Sequence, residues 1–241
     1  MNRLNVRFLP SLISTEEMAG ATVLVIDILR ASTTIVHALA AGARFVKPCR
    51  VVEDAREFAS QHPETVLGGE RGGVKIKGFD FGNSPTEYTP TTVRERVVAF
   101  TTTNGTKAMM HCHNAGRVLI GSFVNLTAVC RSLDSADHIE LICAGTGNEI
   151  TLEDVLFAGA VASQLNQQDT KANDQAAIAN SLWQATKLRI ESGESLADSL
   201  TRGLGGQNLV KLGLDKDIEI AARIDQFDCV PEYDLATGQI V

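Results

Sequence analysis

Four branched aliphatic residues in a row, Val23 to Ile26, stand out in the first part of the chain. A strand with one wet face alternates apolar and polar positions. An unbroken run marks a strand buried on both faces of a parallel sheet. The run ends in Asp27 and Arg30, and then opens into Ser32, Thr33 and Thr34. Hydroxylic residues of this kind favour helix starts, and Ile35 to Ala41 continues as helix. Asp27 and Arg30 are therefore expected at the carboxyl end of a central strand beside a helix N-terminus. That is the crevice in which open α/β sheets bind ligands. An ion pair closing off a strand end is the alternative reading.

The same rhythm runs through most of the chain. Residues 4–8 read as an edge strand, 44–49 as a strand, 52–60 as a helix and 65–67 as a short strand. After a break, 97–101 reads as strand, 107–115 as helix, 117–121 as strand, 125–133 as helix and 138–144 as a buried strand. A long helix is expected from about Thr151 to Leu165. Residues 174–225 read as further helices, separated at Gly193, Gly205-Gly206 and Gly213, and the tail as a short strand pair around Ala236-Thr237-Gly238. Strands alternating with helices predict an α/β fold with mainly parallel sheets and helices on their faces. We expect two α/β units, residues 1–90 and 91–241, the second with a helical extension. IDILRAST and FTTTNGTK echo each other as apolar strand, polar turn and helix start, which suggests strand ends facing each other across a site.

The rhythm breaks at Gly68–Pro90, which holds six glycines and two prolines in 23 residues. Loops this long inside a compact domain are usually functional or disordered. This one carries Glu70, Arg71, Lys75, Lys77, Asp80 and Asn83, with Phe79 and Phe81 as anchors, so an ordered binding loop, serving as a lid, is expected.

Composition narrows the function by exclusion. At 241 residues the chain can bury a large core. A formal net charge of −7 gives no global field for nucleic acid, so an anionic ligand must be held by local arginines, lysines and helix ends. No run of 18 apolar residues is present, so no membrane partner is expected, and the N-terminus lacks the compact apolar core of a leader. Five cysteines without C-x-x-C spacing argue against a disulfide framework or a structural zinc site, and point to a cytoplasmic protein with reduced thiols. The amphipathic C-terminal helices favour a homodimer.

Four polar turns follow strands: DILRAST, GERGG, TTTNGT with GSFVN, and AGTGNEITLED. Arg30 and Arg71 offer planar donor forks suited to phosphate or sulfonate oxygens. Gly72-Gly73 and Asn104-Gly105 let backbone N–H groups approach an anion, and Thr106 opens a helix whose dipole favours negative charge. Asp27, Glu70, Glu153 and Asp154 are hard oxygen ligands of the kind Mg²⁺ prefers. Each has a structural alternative: a capping box for Thr151–Asp154, a tight turn for Asn104-Gly105, a hinge for Gly72-Gly73. His111 and His113 point to different faces of a helix and are not a metal pair. Trp183 reads as core among the C-terminal helices. No complete dinucleotide fingerprint, Walker A spacing or nucleophile elbow is present.

In order along the chain, VIDILRASTT, GERGGVKIKGFDFGNSPTEY, TTTNGTKA, IGSFVN, AGTGNEITLEDVLFAGA and GQNLVKLGLDKDIEIAARIDQFDCVP resemble the 2-phosphosulfolactate phosphatase family over nearly the whole length. The resemblance implies Mg²⁺-dependent hydrolysis of 2-phospho-3-sulfolactate to 3-sulfolactate and phosphate. In methanogens that step serves coenzyme M biosynthesis, but similar members occur in bacteria without that coenzyme, so the chemistry is implied more firmly than the pathway. On this reading Asp27 binds Mg²⁺ or attacks phosphorus, with Glu70 as a second metal ligand and Asp154 as a further one. Arg30 and Arg71 neutralise charge on the phosphoryl group. Thr102, Thr103, Asn104 and the Gly105–Thr106 amides hold phosphate or carboxylate oxygens, and Lys75, Asn83 and Ser84 take the sulfonate end. A phosphatase for another phosphorylated hydroxy acid, or a non-catalytic sensor of small organic anions, would use the same groups.

Overall fold

A computed structural model describes residues 3–165 and 170–241. In chain order the elements begin with β1 (Arg3–Arg7), β2 (Thr22–Ile26), α1 (Ala31–Ala40), β3 (Phe45–Pro48) and α2 (Val52–Gln61). There follow β4 (Thr65–Arg71), β5 (Val74–Lys75), α3 (Pro90–Val93), β6 (Val97–Thr101) and α4 (Gly105–His111). Then come β7 (Arg117–Gly121), α5 (Leu126–Leu133), β8 (His138–Cys143), α6 (Leu152–Leu165) and β9 (Lys171–Ala172). Helices α7 (Asp174–Glu191), α8 (Leu196–Thr201), α9 (Leu204–Lys211) and α10 (Asp215–Ala221) precede a final hairpin, β10 (Tyr233–Asp234) and β11 (Gln239–Ile240).

The strands form two sheets. One is fully parallel, in the order β7-β2-β8-β1-β9. The other, β10-β11-β3-β6-β4-β5, has a parallel centre and antiparallel additions at both edges. The architecture is the α/β class expected from the alternation, and each sheet takes strands from both sides of residue 90. The first strand is not an edge strand. β1 lies between β8 and β9, because the short strand after α6 pairs with it and covers its open side.

Strand β2 is buried on both faces, as its unbroken apolar run requires. Side chains alternate across a strand. Leu24 and Ile26 therefore enter a core with β1, β8, α5, α6 and α7, where Trp183 also packs. Val23 and Val25 enter a second core, shared with Val46, Val98 and Phe100 of the other sheet and with α1 and α4. Each such side chain, taken fully out of water, contributes about 1.5–3 kcal/mol. Helix α1 lies in that second core, which explains why its first turn buries Ser32, Thr33 and Thr34 as well as Ile35. The two sheets thus share a hydrophobic layer, and the carboxyl ends of β2 and β6 converge beside it.

The Gly68–Pro90 segment is more regular than its glycines suggest. β4 continues through Gly68 and Gly69 to Arg71 and turns back into β5. Gly72 and Gly73 have φ of 60° and 82°. Positive φ at both central positions is what a two-residue hairpin needs. Phe79 is buried against Cys49, Ala55 and Ala99, and Phe81 packs edge-on against Tyr88. The pair Gly205-Gly206 does not separate helices. Both residues lie in the first turn of α9, where Gly206 sits so close to the backbone of Leu200 and Thr201 that a Cβ would collide with it.

Candidate active site

A cavity of about 440 Å³ opens where the ends of β2, β4 and β6 meet α9. At the end of β2, the Asp27 amide donates to Ser32 Oγ at 2.9 Å, and Thr33 Oγ1 donates to Ile28 O at 2.9 Å. The hydroxylic run therefore folds back on the turn that holds Asp27. The Ala31 amide donates to Asp27 Oδ1 at 3.2 Å, so the carboxylate is fixed against the start of α1. Arg30 follows, with Nη1 on Asp217 Oδ2 at 2.6 Å and Nη2 on Gly73 O at 2.8 Å.

Glu70, on β4, receives two backbone donors: Gly73 N at 2.7 Å on Oε2 and Thr103 N at 2.9 Å on Oε1. One carboxylate thus ties the hairpin tip to the turn after β6. That turn is closed by Thr102 and Thr106, each hydroxyl accepting the other's amide at 3.2 and 3.3 Å. A Cβ on Gly105 would lie 2.6 Å from both Asp27 Oδ2 and Ala31 Cβ, so only glycine lets α4 start against α1. The fourth turn contributes Thr146 and Gly147 to the cavity wall, with Gly147 N on Asn104 Oδ1 at 3.3 Å.

Of the residues singled out in the sequence, Asp27, Arg30, Glu70, Asn83, Thr102, Thr103 and Asn104 line this cavity. Gly105 and Thr106 stand behind its wall. Lys75 and Ser84 line an adjoining cavity of about 410 Å³, which shares Arg30, Gly73, Asn83 and Leu212 with the first. Ser84 Oγ donates to Asp217 Oδ1 at 2.6 Å, which engages it in holding the partner of Arg30. Arg71 is not brought into the cavity. It is adjacent to Glu70 on a strand, where neighbours face opposite ways, and its guanidinium donates to Glu70 O and Thr101 Oγ1. Asp154 does not line the cavity; its two oxygens accept from Ile28 N at 2.9 Å and Gly145 N at 3.1 Å, joining the ends of β2 and β8.

The remaining wall was missed in the sequence: Leu29, Gly205, Asn208, Leu209, Lys211 and Leu212. Most of these come from one face of α9. The available signals were the GQNLVKLGLDK segment, which belongs to the family resemblance without marking a turn, and the polar pair Asn208 and Lys211 three apart beside a Gly-Gly that permits close packing.

Electrostatics define the centre. Burial first, then the charges of Asp154 and Glu70, push the Asp27 carboxyl up to about 8. Burial and Glu153 raise Asp154 to about 7, and burial raises Glu153 to about 7. Among the cavity-lining groups Arg30 is the nearest counter-charge, and Asp217 already neutralises it. Several buried carboxylates around one strand end lack positive charge, and a hard divalent cation is what such a donor set suits. Among the described residues no three His, Cys, Asp or Glu side chains form a complete cage. Asp27 and Glu70 fit the alternative, in which one or two carboxylates share Mg²⁺ with water and phosphate oxygens.

The site is thus an acidic pocket at the strand ends of an α/β protein, walled by glycine- and threonine-bearing turns. The 2-phosphosulpholactate phosphatase family model matches residues 7–235. A probable 2-phosphosulfolactate phosphatase of Symbiobacterium thermophilum is 40% identical over 94% of this chain and 96% of its own. Those of Pseudothermotoga lettingae and Carboxydothermus hydrogenoformans are 37% and 36% identical, over 95% and 99% of this chain and 95% and 96% of theirs. The chain belongs to the 2-phosphosulpholactate phosphatase family, and is a phosphoric monoester hydrolase.

Proposed function

We propose that this protein hydrolyses 2-phospho-3-sulfolactate to 3-sulfolactate and phosphate, with Mg²⁺ as cofactor. The observation that carries the reading is the pairing of buried Asp27 with amide-held Glu70 in one cavity, facing the Thr102–Asn104 turn. Asp27 and Glu70 would hold Mg²⁺, which when bound supplies charge neutralisation at the phosphoryl oxygens and a more acidic water.

The chain's own residues do the positioning. Glu70 keeps one orientation because two amides donate to it, and a third hydrogen bond from Thr103 Oγ1 reaches it at 3.4 Å. Arg30 uses two of its N–H groups on Asp217 and Gly73, leaving others of its five for phosphoryl oxygens as charge develops there. Water adds its oxygen to phosphorus, the bond between phosphorus and the ester oxygen of the sulfolactate breaks, and a proton from that water ends on the departing alkoxide oxygen. No helix among the described residues is long and apolar enough to cross a membrane, and all five cysteines are unpaired, which supports a place in the reducing cytoplasm.

Phosphate release from 2-phospho-3-sulfolactate is expected with Mg²⁺ and not after chelation. Asp27→Asn is expected to abolish it while leaving the folded state intact. Near-full Mg²⁺-dependent activity in that variant would remove the central assignment. Comparing kcat/KM on 2-phospholactate and phosphoglycerate tests whether the sulfonated ester is the preferred substrate.

A further inference from the structure

The cavity has two chemically different walls. The strand ends carry Asp27 and Glu70, and a sulfonate, permanently anionic, is repelled there wherever the carboxylates are ionised. Another wall is α9, which presents Asn208 and, three residues on, Lys211, on one face of the helix. Lys211 differs from the other cations nearby. Arg30 is neutralised by Asp217 at 2.6 Å, and Arg71 lies outside the cavity. Lys75 lines the adjoining cavity and leans on Asp80 O at 3.4 Å. Among the described residues neither the Lys211 nor the Asn208 side chain makes a hydrogen bond or ion pair.

We propose that Asn208 and Lys211 form a second anion subsite on α9 that takes the sulfonate of the substrate and sets the enzyme's preference for sulfonated over unsulfonated phosphohydroxy acids. This rests on the phosphatase reading above and adds the residues that select its substrate. It also moves the sulfonate from Lys75, Asn83 and Ser84, of which Lys75 and Ser84 line the neighbouring cavity and Asn83 lines both, to the helix that no turn motif marked. The α9 face can approach the strand ends because Gly203 and Gly205 leave room for the buried Glu153 carboxylate; a Cβ on Gly205 would collide with it. Leu212 touches the hairpin tip at Gly73, which docks α9 against the turn that holds Glu70.

The test compares 2-phospho-3-sulfolactate with 2-phospholactate, which keeps the phosphate and carboxylate and lacks only the sulfonate. Loss of one charge-assisted contact predicts that Lys211→Met lowers kcat/KM on the sulfonated ester roughly 10- to 100-fold, mostly through KM. On 2-phospholactate the same variant stays within about threefold of the parent, since no lost contact applies there. Lys211→Arg recovers much of the preference, and Asn208→Leu shows the same selective loss to a smaller degree. An equal fall on both substrates, or no fall on either, overturns the proposal. Calorimetry with 3-sulfolactate and with lactate separates this from the activity itself. A parent protein that binds 3-sulfolactate without hydrolysing the ester sinks the phosphatase reading. Selective loss of 3-sulfolactate binding in Lys211→Met would still uphold the subsite, and undiminished binding, or none in the parent, would overturn it.

Discussion

Arg30 and Asp217, 187 positions apart in sequence, form an ion pair of 2.6 Å in which both side chains are nearly inaccessible to water. The pair joins the end of β2 to α10, and Asp217 also accepts from Ser84 Oγ at 2.6 Å. Buried pairs of this kind add little over a well-packed apolar replacement, but removing one partner leaves a naked charge. Asp217→Ala is therefore expected to destabilise the fold by about 3–5 kcal/mol. Replacing both as Arg30→Met with Asp217→Leu should recover most of that stability and none of the activity. Denaturant melts alongside phosphate release check both halves; full stability in Asp217→Ala would mean that water reaches Arg30.

Much of this site could be read in the sequence because it is built from strand ends. The apolar run before Asp27, and the hydroxyls after it, fix both its depth and its orientation. Glu70 was legible as an acid in a Gly-rich turn, but its neighbour was misplaced. The glycines hid the continuation of β4 to Arg71, and only a strand's alternation separates Glu70 from Arg71. The α9 wall gave no such signal. Whether Asn208 and Lys211 face a cavity or solvent depends on how the helix docks, and that is decided by Gly205, Gly206 and their distant contacts. The interior place of β1 was hidden for the same reason, since its second neighbour arrives more than 160 residues later.

Glu70 offers a substitution that keeps size and removes charge. Glutamine has one acceptor oxygen where Glu70 uses two, so Glu70→Gln leaves either the Gly73 or the Thr103 amide without its partner. The expected loss of stability is about 1–3 kcal/mol. Activity should fall further than stability explains, with a higher Mg²⁺ concentration needed for half-maximal rate. An unchanged Mg²⁺ requirement would take Glu70 out of the metal's surroundings.

The buried carboxyls make stability depend on pH in a direction that can be worked out. Asp27 at about 8, and Glu153 and Asp154 at about 7, keep protons that the unfolded chain releases near pH 4. Between those limits the folded state binds more protons, so its stability falls as pH rises. His37 acts in the opposite sense. Burial lowers it to about 4, so stability is lost as pH falls from about 6.5 toward that value. From about pH 6.5 to 8 only the carboxyl effect remains, and the melting temperature should decline across that range without Mg²⁺. Added Mg²⁺ should raise it more at pH 8 than at pH 6.5, because Asp27, which it would pair with, gives up its proton only toward pH 8. An equal rise at both pH values would place the bound ion elsewhere.

Two glycine-to-alanine substitutions should separate activity from stability. At Gly105 the added methyl would lie 2.6 Å from Asp27 Oδ2 and from Ala31 Cβ, directly behind the proposed catalytic carboxylate. Alanine is the better helix former by about 1 kcal/mol, which offsets part of the strain. Gly105→Ala should therefore lose most of its turnover with a modest drop in melting temperature, because the displaced atom belongs to Asp27. At Gly159, where α6 crosses α7, the methyl would collide with the carbonyl of Ala179, a backbone atom that cannot turn aside. Gly159→Ala should cost about 1–3 kcal/mol of stability, as overpacked cores do. Its remaining folded fraction should work at the parent's rate, since the nearest strained atoms belong to the α6–α7 contact and not to the cavity wall. Thermal melts and kcat measured on the same preparations decide the matter. If Gly105→Ala kept its turnover, Asp27 would tolerate displacement, and its position against the start of α4 would have no bearing on the reaction.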